Sequence, residues 1–319
     1  PAGWPGLPSV FTIHNVQHQG WSPLDATIHW LRLPTSVRSS GMNHFGTANA
    51  MQAGLDFATR VTTVSPTYAN EIQRPEFGFM LDGTLRSISG RLTGILNGLD
   101  VRIWDPANDP AIPEPFSARN PRGKDASKVA LRDRFVLEEG RPILATVSRF
   151  AEQKGIDLLL EAAPGLIDDG WNLVVQGSGD EAIETWAEAL AREHPRHVGV
   201  HVGYDETLAH LIYAGSDAFA IPSRFEPCGL TQMIAMRYGS LPIARATGGL
   251  RDTIRSGETG FLFFDASATA LRSSAQWALS LLKKRPRALQ KAAMREVFDW
   301  THSAEAYAAL YRDVRRAQP

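Results

Sequence analysis

The sequence contains a single cysteine, Cys228, among 319 residues. Without a second thiol an internal disulfide framework is excluded, and a lone thiol fits a reducing cytoplasm. No apolar run reaches the roughly 18 residues of a membrane span. The first eight residues, P-A-G-W-P-G-L-P, lack the regions of a signal peptide. Neither charge is in excess, since 33 Lys and Arg face 34 Asp and Glu, which argues against non-specific nucleic-acid binding.

Several catalytic motifs are absent as well. There is no H-E-x-x-H or C-x-x-C metal pattern, no G-x-S-x-G nucleophile elbow and no P-loop lysine. His14, His18, His29 and His44 are irregularly spaced, so we expect no metal site. We expect no nucleophilic role for Cys228, which either contacts a ligand through its backbone or simply packs.

A regular alternation of apolar runs and helical patterns begins at residue 141. The predicted strands are continuous apolar runs, at 143–148, 173–176, 198–201, 218–221 and 241–244. Helical patterns follow the first four, at 155–167, 181–193, 206–214 and 230–238. Continuous apolar strands are covered on both faces, which predicts a doubly wound parallel α/β sheet. Ligands of such sheets lie outside the carboxyl ends of the strands.

The first third of the sequence is less regular. Strands are predicted at 9–13, 60–64 and 93–96 and a helix at 48–59, and residues 21–46 read as a loop with short helices. Residues 106–123 hold five prolines and are predicted to be a linker. We therefore expect a partial first domain with its linker over residues 1–122 and a second domain over 123–300. A terminal helix over 301–319 could pack back on the first domain.

The segment S-R-F-E-P-C-G-L-T, from Ser223 to Thr231, carries the strongest functional signal. A predicted strand precedes it and a predicted helix follows, so the turn opens onto a helix N-terminus whose free N–H groups attract an anion. Gly229 allows close approach of a ligand, and Thr231 adds a hydroxyl. Glu226 could hold a group attached to a phosphate, such as a sugar. A plain α/β turn would have the same shape.

Other polar residues follow the predicted strands. Arg149 and Lys154 flank one turn, and two cations opposite an anion-binding helix suit a diphosphate, although solvated surface cations fit as well. Tyr204 could stack on a nucleobase or lie half-buried at a rim. His14 is either a substrate contact or part of a capping pair, and Asn97 precedes a glycine in a pattern that turn chemistry alone explains. G-S-G-D at Gly177 fits a tight turn capped by an aspartate.

Together these segments resemble the bacterial glycogen synthase and plant starch synthase family of retaining GT-B glucosyltransferases. Nine motifs carry the resemblance and occur in order along nearly the whole chain. They are T-I-H-N at Thr12, R-V-T-T-V-S-P-T-Y-A at Arg60, P-E-F-G-F-M-L-D-G at Pro75, I-L-N-G at Ile95, V-S-R-F-A-E-Q-K-G at Val147, G-S-G-D at Gly177, G-Y-D-E at Gly203, S-R-F-E-P-C-G-L-T-Q at Ser223 and T-G-G-L at Thr247. The implied fold is two Rossmann-like domains facing a cleft, with the first incomplete and the second binding the nucleotide sugar.

The resemblance also implies the reaction and its substrates. Glucose would pass from ADP-glucose to the non-reducing end of an α-1,4-glucan such as glycogen, with retention of configuration and without metal or cofactor. Arg149 and Lys154 would neutralise the leaving diphosphate, and Glu226 would bind the hydroxyls of the donor glucose.

The remaining implied roles concern the sugar, the phosphates and the base. His14 would lie against the glucose ring, and Asn97 would help to place the sugar. Tyr204 would stack on adenine. Phosphates would be held at the start of the helix by the last residues of the turn, which are Cys228, Gly229, Leu230 and Thr231.

The sequence departs from the family pattern in two places. The lysine-containing K-x-G-G-L loop of the first domain is not found, so we interpret the chain as a piece of a longer protein and expect it to be inactive, or nearly so, by itself. Residues 21–53 also differ, with Asn43-His44-Phe45-Gly46 and Met51-Gln52-Ala53-Gly54 where the family usually has F-Y-G and K-x-G.

Two alternatives stay open on the sequence. A binding module for nucleotides or glucans would keep Arg149, Lys154 and Glu226 without transferring sugar. Another retaining GT-B glycosyltransferase is the second alternative, but many of these have a second glutamate where this sequence has Ile234. The residues alone do not distinguish ADP from UDP.

Overall fold

The computed structural model describes residues 7–44, 46–284 and 286–316. The N-terminal P-A-G-W-P-G segment, Phe45 of the departing N-H-F-G segment and Ala317 of the predicted last helix lie outside these ranges. The chain forms two compact units. One holds the residues up to Asn97 together with those from Thr301 onward, and the other is Gly98–Trp300.

The elements are numbered in chain order. The strands are β1 (Val10–Ile13), β2 (Trp21–Pro23), β3 (Asn43–His44), β4 (Thr47–Asn49), β5 (Arg60–Thr63), β6 (Leu92–Gly94), β7 (Ile143–Val147), β8 (Asn172–Gly177), β9 (Val198–Val202), β10 (Ala218–Ile221), β11 (Leu241–Arg245) and β12 (Phe261–Phe263). The α-helices are α1 (Leu24–Trp30), α2 (Ala50–Phe57), α3 (Pro66–Glu71), α4 (Pro75–Gly78), α5 (Asp82–Ser87), α6 (Gly123–Arg134), α7 (Ile156–Asp169), α8 (Glu181–Glu193), α9 (Glu206–Gly215), α10 (Thr231–Arg237), α11 (Gly248–Thr253), α12 (Ala268–Lys284), α13 (Pro286–Met294) and α14 (Trp300–Arg316).

The first unit contains a three-stranded parallel sheet in the order β1-β5-β6, which confirms the three strands predicted there. Its second sheet is antiparallel, in the order β2-β4-β3, and packs on a small core of Leu24, Ile28 and Ala48. The sequence predicted short helices in this region but not the sheet. Strands of two or three residues are too short to show an alternating pattern.

The second unit is built on a six-stranded parallel sheet in the order β12-β11-β10-β7-β8-β9, as the alternating pattern predicted. Every residue of β8 and β10 is buried, because helices cover both faces. The strand order reverses between β7 and β10, which pair in register at Leu144 and Ala218. The carboxyl ends of two adjacent strands at such a reversal form the crevice where ligands of this architecture bind.

The predicted linker, residues 106–123, lies within the second unit, which begins at Gly98. Trp104 stacks on His210 with ring centroids 4.2 Å apart, and Asp109 lies 2.7 Å from the same imidazole. Burial and the Asp109 carboxylate raise the pKa of Tyr238, whose hydroxyl donates to that carboxylate. An aromatic cluster thus fastens this proline-rich segment, and the change of unit falls after Asn97 rather than at residue 122.

The segment after Thr301 belongs to the first unit, and the Ser303 hydroxyl donates to the carbonyl of Leu96 at 2.5 Å. All of α14 after Trp300 therefore belongs to the same unit as the residues up to Asn97.

A buried lysine in the second unit donates hydrogen bonds to the ends of two helices. Lys124 is 3% exposed, and its Nζ donates to the carbonyls of Ala214 and Tyr238 at 2.8 Å each. These carbonyls lie at the C-terminal ends of α9 and α10, where helices leave acceptors unsatisfied. Burial lowers the pKa of Lys124 to about 7, and a neutral amine retains the two donors that these contacts need.

The lowered pKa of Lys124 predicts that stability depends on alkaline pH. Below pH 7 the amine is charged in both states and the full cost of burying the charge is present. Between pH 7 and the ordinary lysine value only the unfolded state holds the proton, so stability rises by up to about 1.4 kcal/mol per pH unit. Urea unfolding between pH 7 and 9.5 measures this slope. The Lys124→Met variant should have a slope lower by that amount, and equal slopes would refute the assignment.

Candidate functional site

Two turns meet at the reversal of strand order, one after β7 and one after β10. The ammonium Nζ of Lys154, on the first turn, lies 2.7 Å from Oε2 of Glu226 on the second. The Ser223 hydroxyl donates to the same carboxylate oxygen at 2.9 Å. Glu226 is 6% exposed, so the pair is largely removed from solvent. Two residues that are 72 positions apart in sequence thus form a buried ion pair at the carboxyl edge of the sheet.

A small cavity opens beside this ion pair. Its polar lining includes Ser148, Lys154, Ser223, Glu226 and Thr231, and β7 and β10 supply apolar walls. An acidic acceptor, an ammonium donor and hydroxyl groups converge there. Lys154 has three N–H donors and uses one on Glu226, so the site retains donors for an anion and acceptors for hydroxyl groups.

Arg149 lies on the same turn as Lys154 and is exposed. Its guanidinium makes no hydrogen bond or ion pair within residues 7–44, 46–284 and 286–316. One half-buried, paired cation and one exposed cation therefore flank the turn after β7. This arrangement suits an incoming group with more than one negative charge.

The turn after β10 opens directly onto a helix, as its sequence predicted. Gly229 has a left-handed backbone (φ +72°), Leu230 is exposed and Cys228 is buried. The helix begins at Thr231, one residue later than predicted.

The T-G-G-L segment supports the turn from behind, a role that the sequence did not reveal. The N–H of Gly249 donates to the carbonyl of Glu226 at 3.1 Å. A Cβ on Gly248 (φ +45°) would lie 1.8 Å from the same carbonyl oxygen. The two adjacent glycines at the start of a helix were the available signal of close packing. The sequence does not show that they pack against a turn about twenty residues earlier.

Gln232 holds the turn from the side of α10. Its Nε2 donates to the carbonyls of Cys228 at 3.1 Å and of Gly229 at 2.8 Å. The backbone of the E-P-C-G turn is thus fixed by contacts outside the turn itself.

The remaining predicted residues lie elsewhere. Tyr204 follows β9 in the second unit and is 85% exposed, so its ring is free to stack. Asp180 caps α8 by accepting from the N–H groups of Ala182 and Ile183, which agrees with the turn interpretation of G-S-G-D. His14 and Asn97 belong to the first unit, His14 exposed just after β1 and Asn97 half-buried beyond β6.

Among the described residues there is neither a cluster that could hold a metal ion nor a helix that could cross a membrane. No cluster of three or more His, Cys, Asp or Glu side chains within them is arranged to hold a metal ion. None of the described helices has the length and apolar character that crossing a membrane requires.

Comparisons with known proteins agree with this geometry. Residues 128–295 match the family model described as "Glycosyl transferases group 1", and residues 3–87 match the "Starch synthase catalytic domain". The chain is 45% identical to a glycogen synthase of Thermus thermophilus, covering 96% of this chain and 69% of that protein. It is 48% identical to a glycogen synthase of Deinococcus radiodurans, with coverages of 96% and 68%.

Solved structures give the same result. The catalytic domain of starch synthase IV from Arabidopsis thaliana, bound to ADP and acarbose, superposes with a TM-score of 0.88 at 36% identity. The match covers 96% of this chain and 67% of that one. A sucrose-phosphate synthase from Thermosynechococcus elongatus shares the fold, with a TM-score of 0.61 at 21% identity.

Fold and site together define a glycosyltransferase of the GT-B class, with a parallel α/β sheet whose carboxyl edge carries the polar residues. Within that class, the chain belongs to the glycogen synthase and starch synthase family. It spans about two thirds of the length of these relatives, at 69%, 68% and 67%.

Proposed function

We propose that the site at the ends of β7 and β10 binds ADP-glucose and serves glucose transfer to the non-reducing end of an α-1,4-glucan. The buried Lys154–Glu226 pair carries this proposal, because it presents a cation and a carboxylate side by side at the ligand-binding edge of the sheet. The starch synthase that is similar to this chain was solved with ADP, which favours an adenine nucleotide.

The donor side of the reaction follows from the chemistry of the site residues. Lys154 and Arg149 neutralise the diphosphate as it leaves, and Glu226 accepts hydrogen bonds from the glucose hydroxyls. The N–H groups at Gly229, Leu230 and Thr231 face the phosphates, with Cys228 contributing through its backbone. Tyr204 stacks on adenine. Fixed charges at a leaving group stabilise the transition state, and removing one such donor typically costs about 3–4 kcal/mol of barrier.

In the transfer step the bond from the anomeric carbon to the diphosphate oxygen breaks, and the acceptor hydroxyl bonds to the same face of that carbon. The hydroxyl proton passes to the departing diphosphate, so charge and atoms balance within the reacting pair. His14 lies against the glucose ring and Asn97 places the sugar in this proposal. The step as proposed uses no metal or cofactor. The single cysteine supports the proposed cytoplasmic location.

Calorimetric titration of ADP and of UDP tests the donor site. We expect ADP to bind more tightly than UDP, and Arg149→Ala to weaken ADP binding by about tenfold or more, since hydrogen bonds to charged groups contribute about 1.5–3 kcal/mol. Within the part of the chain that the structure describes, the Arg149 side chain has no hydrogen bond or ion pair to lose, so its replacement should not alter stability. Arg196→Ala, an exposed arginine that precedes β9, is the matched control and should bind ADP as the wild type does.

A nucleotide-binding module without transfer is distinguished by product analysis. Longer glucans from incubation with ADP-glucose and a maltooligosaccharide would rule out the module, whereas their absence would match the low activity expected of this chain by itself. If neither nucleotide binds, the proposed donor site is wrong for this chain.

The other alternative is a different retaining GT-B glycosyltransferase. Ile234 is buried in α10, an apolar setting that does not suit the second glutamate of other GT-B enzymes.

A further inference from the structure

Arg224 belongs to the turn that carries Glu226, and its side chain reaches the turn that carries Lys154. Its guanidinium forms a two-pronged contact with Asp157, with Nη1 2.8 Å from Oδ1 and Nη2 2.6 Å from Oδ2. The same Nη1 also donates to the carbonyl of Glu152 at 2.8 Å. One side chain from the turn after β10 therefore binds both the backbone of the turn after β7 and the start of α7.

The backbone around Arg224 makes the same connection. Its N–H donates to the carbonyl of Gln153 at 2.8 Å, and the Gln153 side chain returns a bond of 3.3 Å to the carbonyl of Phe225. On the far side, the guanidinium of Arg245, at the end of β11, donates to the carbonyl of Arg224. The residue is thus held in place by three neighbouring segments.

This connection matters because of where its ends lie. Lys154 directly follows Gln153, and Glu226 directly follows Phe225, so the bonds join the residues adjacent to the ion pair on each turn. A lysine has four flexible carbons and no fixed orientation of its own. The 2.7 Å separation of Lys154 and Glu226 therefore depends on how firmly the two turns are held together.

The charges favour a persistent contact. The side chains of Arg224 and Asp157 are 31% and 33% exposed, so water screens them only in part. Hydrogen bonds from Arg224 lower the pKa of Asp157, and those to Asp157 raise the pKa of Arg224, so both stay charged across the physiological range. A planar guanidinium on a carboxylate fixes orientation as well as distance, which lysine cannot do.

We infer that Arg224, through Asp157, is a positioning residue that holds Lys154 and Glu226 in the geometry needed to bind the donor. It does not itself touch the substrate. The consequence for donor binding rests on the proposed function, whereas the joining of the two turns does not.

Hydrogen–deuterium exchange and ADP calorimetry on Arg224→Ala and Arg224→Lys test this inference. We expect Arg224→Ala to speed exchange in both turns, residues 149–157 and 223–231, while β8 stays protected. ADP affinity should fall by about tenfold, equivalent to about 1.4 kcal/mol. Arg224→Lys should retain only part of the exchange protection and of the ADP affinity, because lysine cannot make the two-pronged contact with Asp157.

The Arg272–Asp169 pair supplies a matched control. It is also two-pronged, through Nε and Nη2 at 2.8 and 2.9 Å. Asp169 is the last residue of α7 and Asp157 lies in its first turn, roughly 20 Å away. Arg272→Ala should lower the unfolding temperature without altering exchange in the turns or ADP affinity.

Each outcome decides one of the two proposals. Unchanged exchange in both turns of a folded Arg224→Ala variant would overturn the positioning role, and so would equal effects of Arg224→Ala and Arg272→Ala on ADP affinity. Absence of ADP binding by the wild type would overturn the proposed donor site alone. In that case faster exchange in the two turns would still support the joining role of Arg224.

Discussion

Replacement of Lys154 by Met is expected to weaken ADP binding by at least about a hundredfold, about 2.8 kcal/mol, and to destabilise the second unit by about 3 kcal/mol. The stability cost arises because Glu226 would remain buried with, among the described residues, only the Ser223 hydroxyl as its side-chain partner. The binding cost arises because Lys154 is the half-buried cation that lines the cavity and retains two donors beyond the one on Glu226.

The double variant Lys154→Met with Glu226→Gln separates these two effects. Removing both charges leaves no unpaired buried ion, so urea unfolding should show most of the lost stability recovered. ADP affinity should stay as low as in Lys154→Met, since the cation is still missing. Recovery of ADP affinity in the double variant would show that Lys154 serves the fold alone. Both measurements use the same purified proteins.

The second large effect is expected for Gly248→Ala. A Cβ at this position would lie 1.8 Å from the carbonyl oxygen of Glu226, which is backbone and cannot rotate away. The backbone also has φ +45°, where an L-residue other than glycine costs about 1–2 kcal/mol. We expect the Glu226 turn to be displaced, with a loss of about 3 kcal/mol or more in stability and little measurable ADP binding.

Gly140→Ala is the control for the free-energy cost of placing alanine at a positive φ. Gly140 also has positive φ, +81°, but a Cβ there would have no atom within 4 Å. It should therefore lose only about 1–2 kcal/mol and bind ADP normally. The difference between the two variants measures the contact between Gly248 and the Glu226 turn. If both variants behave alike in unfolding and in calorimetry, the close packing of T-G-G-L behind the turn does not matter for the site.

Local sequence was a good guide to the second unit. The continuous apolar runs predicted β7 to β11 to within a residue or two at each end, because buried parallel strands cannot include polar positions without partners. The helix of the turn after β10 was predicted one residue too early. Helix ends depend on which backbone groups find partners, and those partners lie outside the local sequence.

The first unit was less predictable. Its small antiparallel sheet has strands of two and three residues whose pairing, such as Trp21 with Asn49, is non-local. Residues 106–123 were expected to be a linker because of their prolines. Trp104 and Asp109 instead pack against His210 and Tyr238, which are more than a hundred residues away.

By itself the sequence determined the fold class, the family and the kind of residue that each strand end presents. Motifs such as S-R-F-E-P-C-G-L-T and V-S-R-F-A-E-Q-K-G determine local backbone conformation and local charge. Both properties can be read from the sequence without knowing the tertiary contacts. Only the tertiary structure decided that Lys154 pairs with Glu226, that Arg224 ties their turns together and that Gly248 supports them. The physical reason is that these are short contacts between segments twenty to seventy residues apart, which exist only after the strand order has brought β7 and β10 side by side.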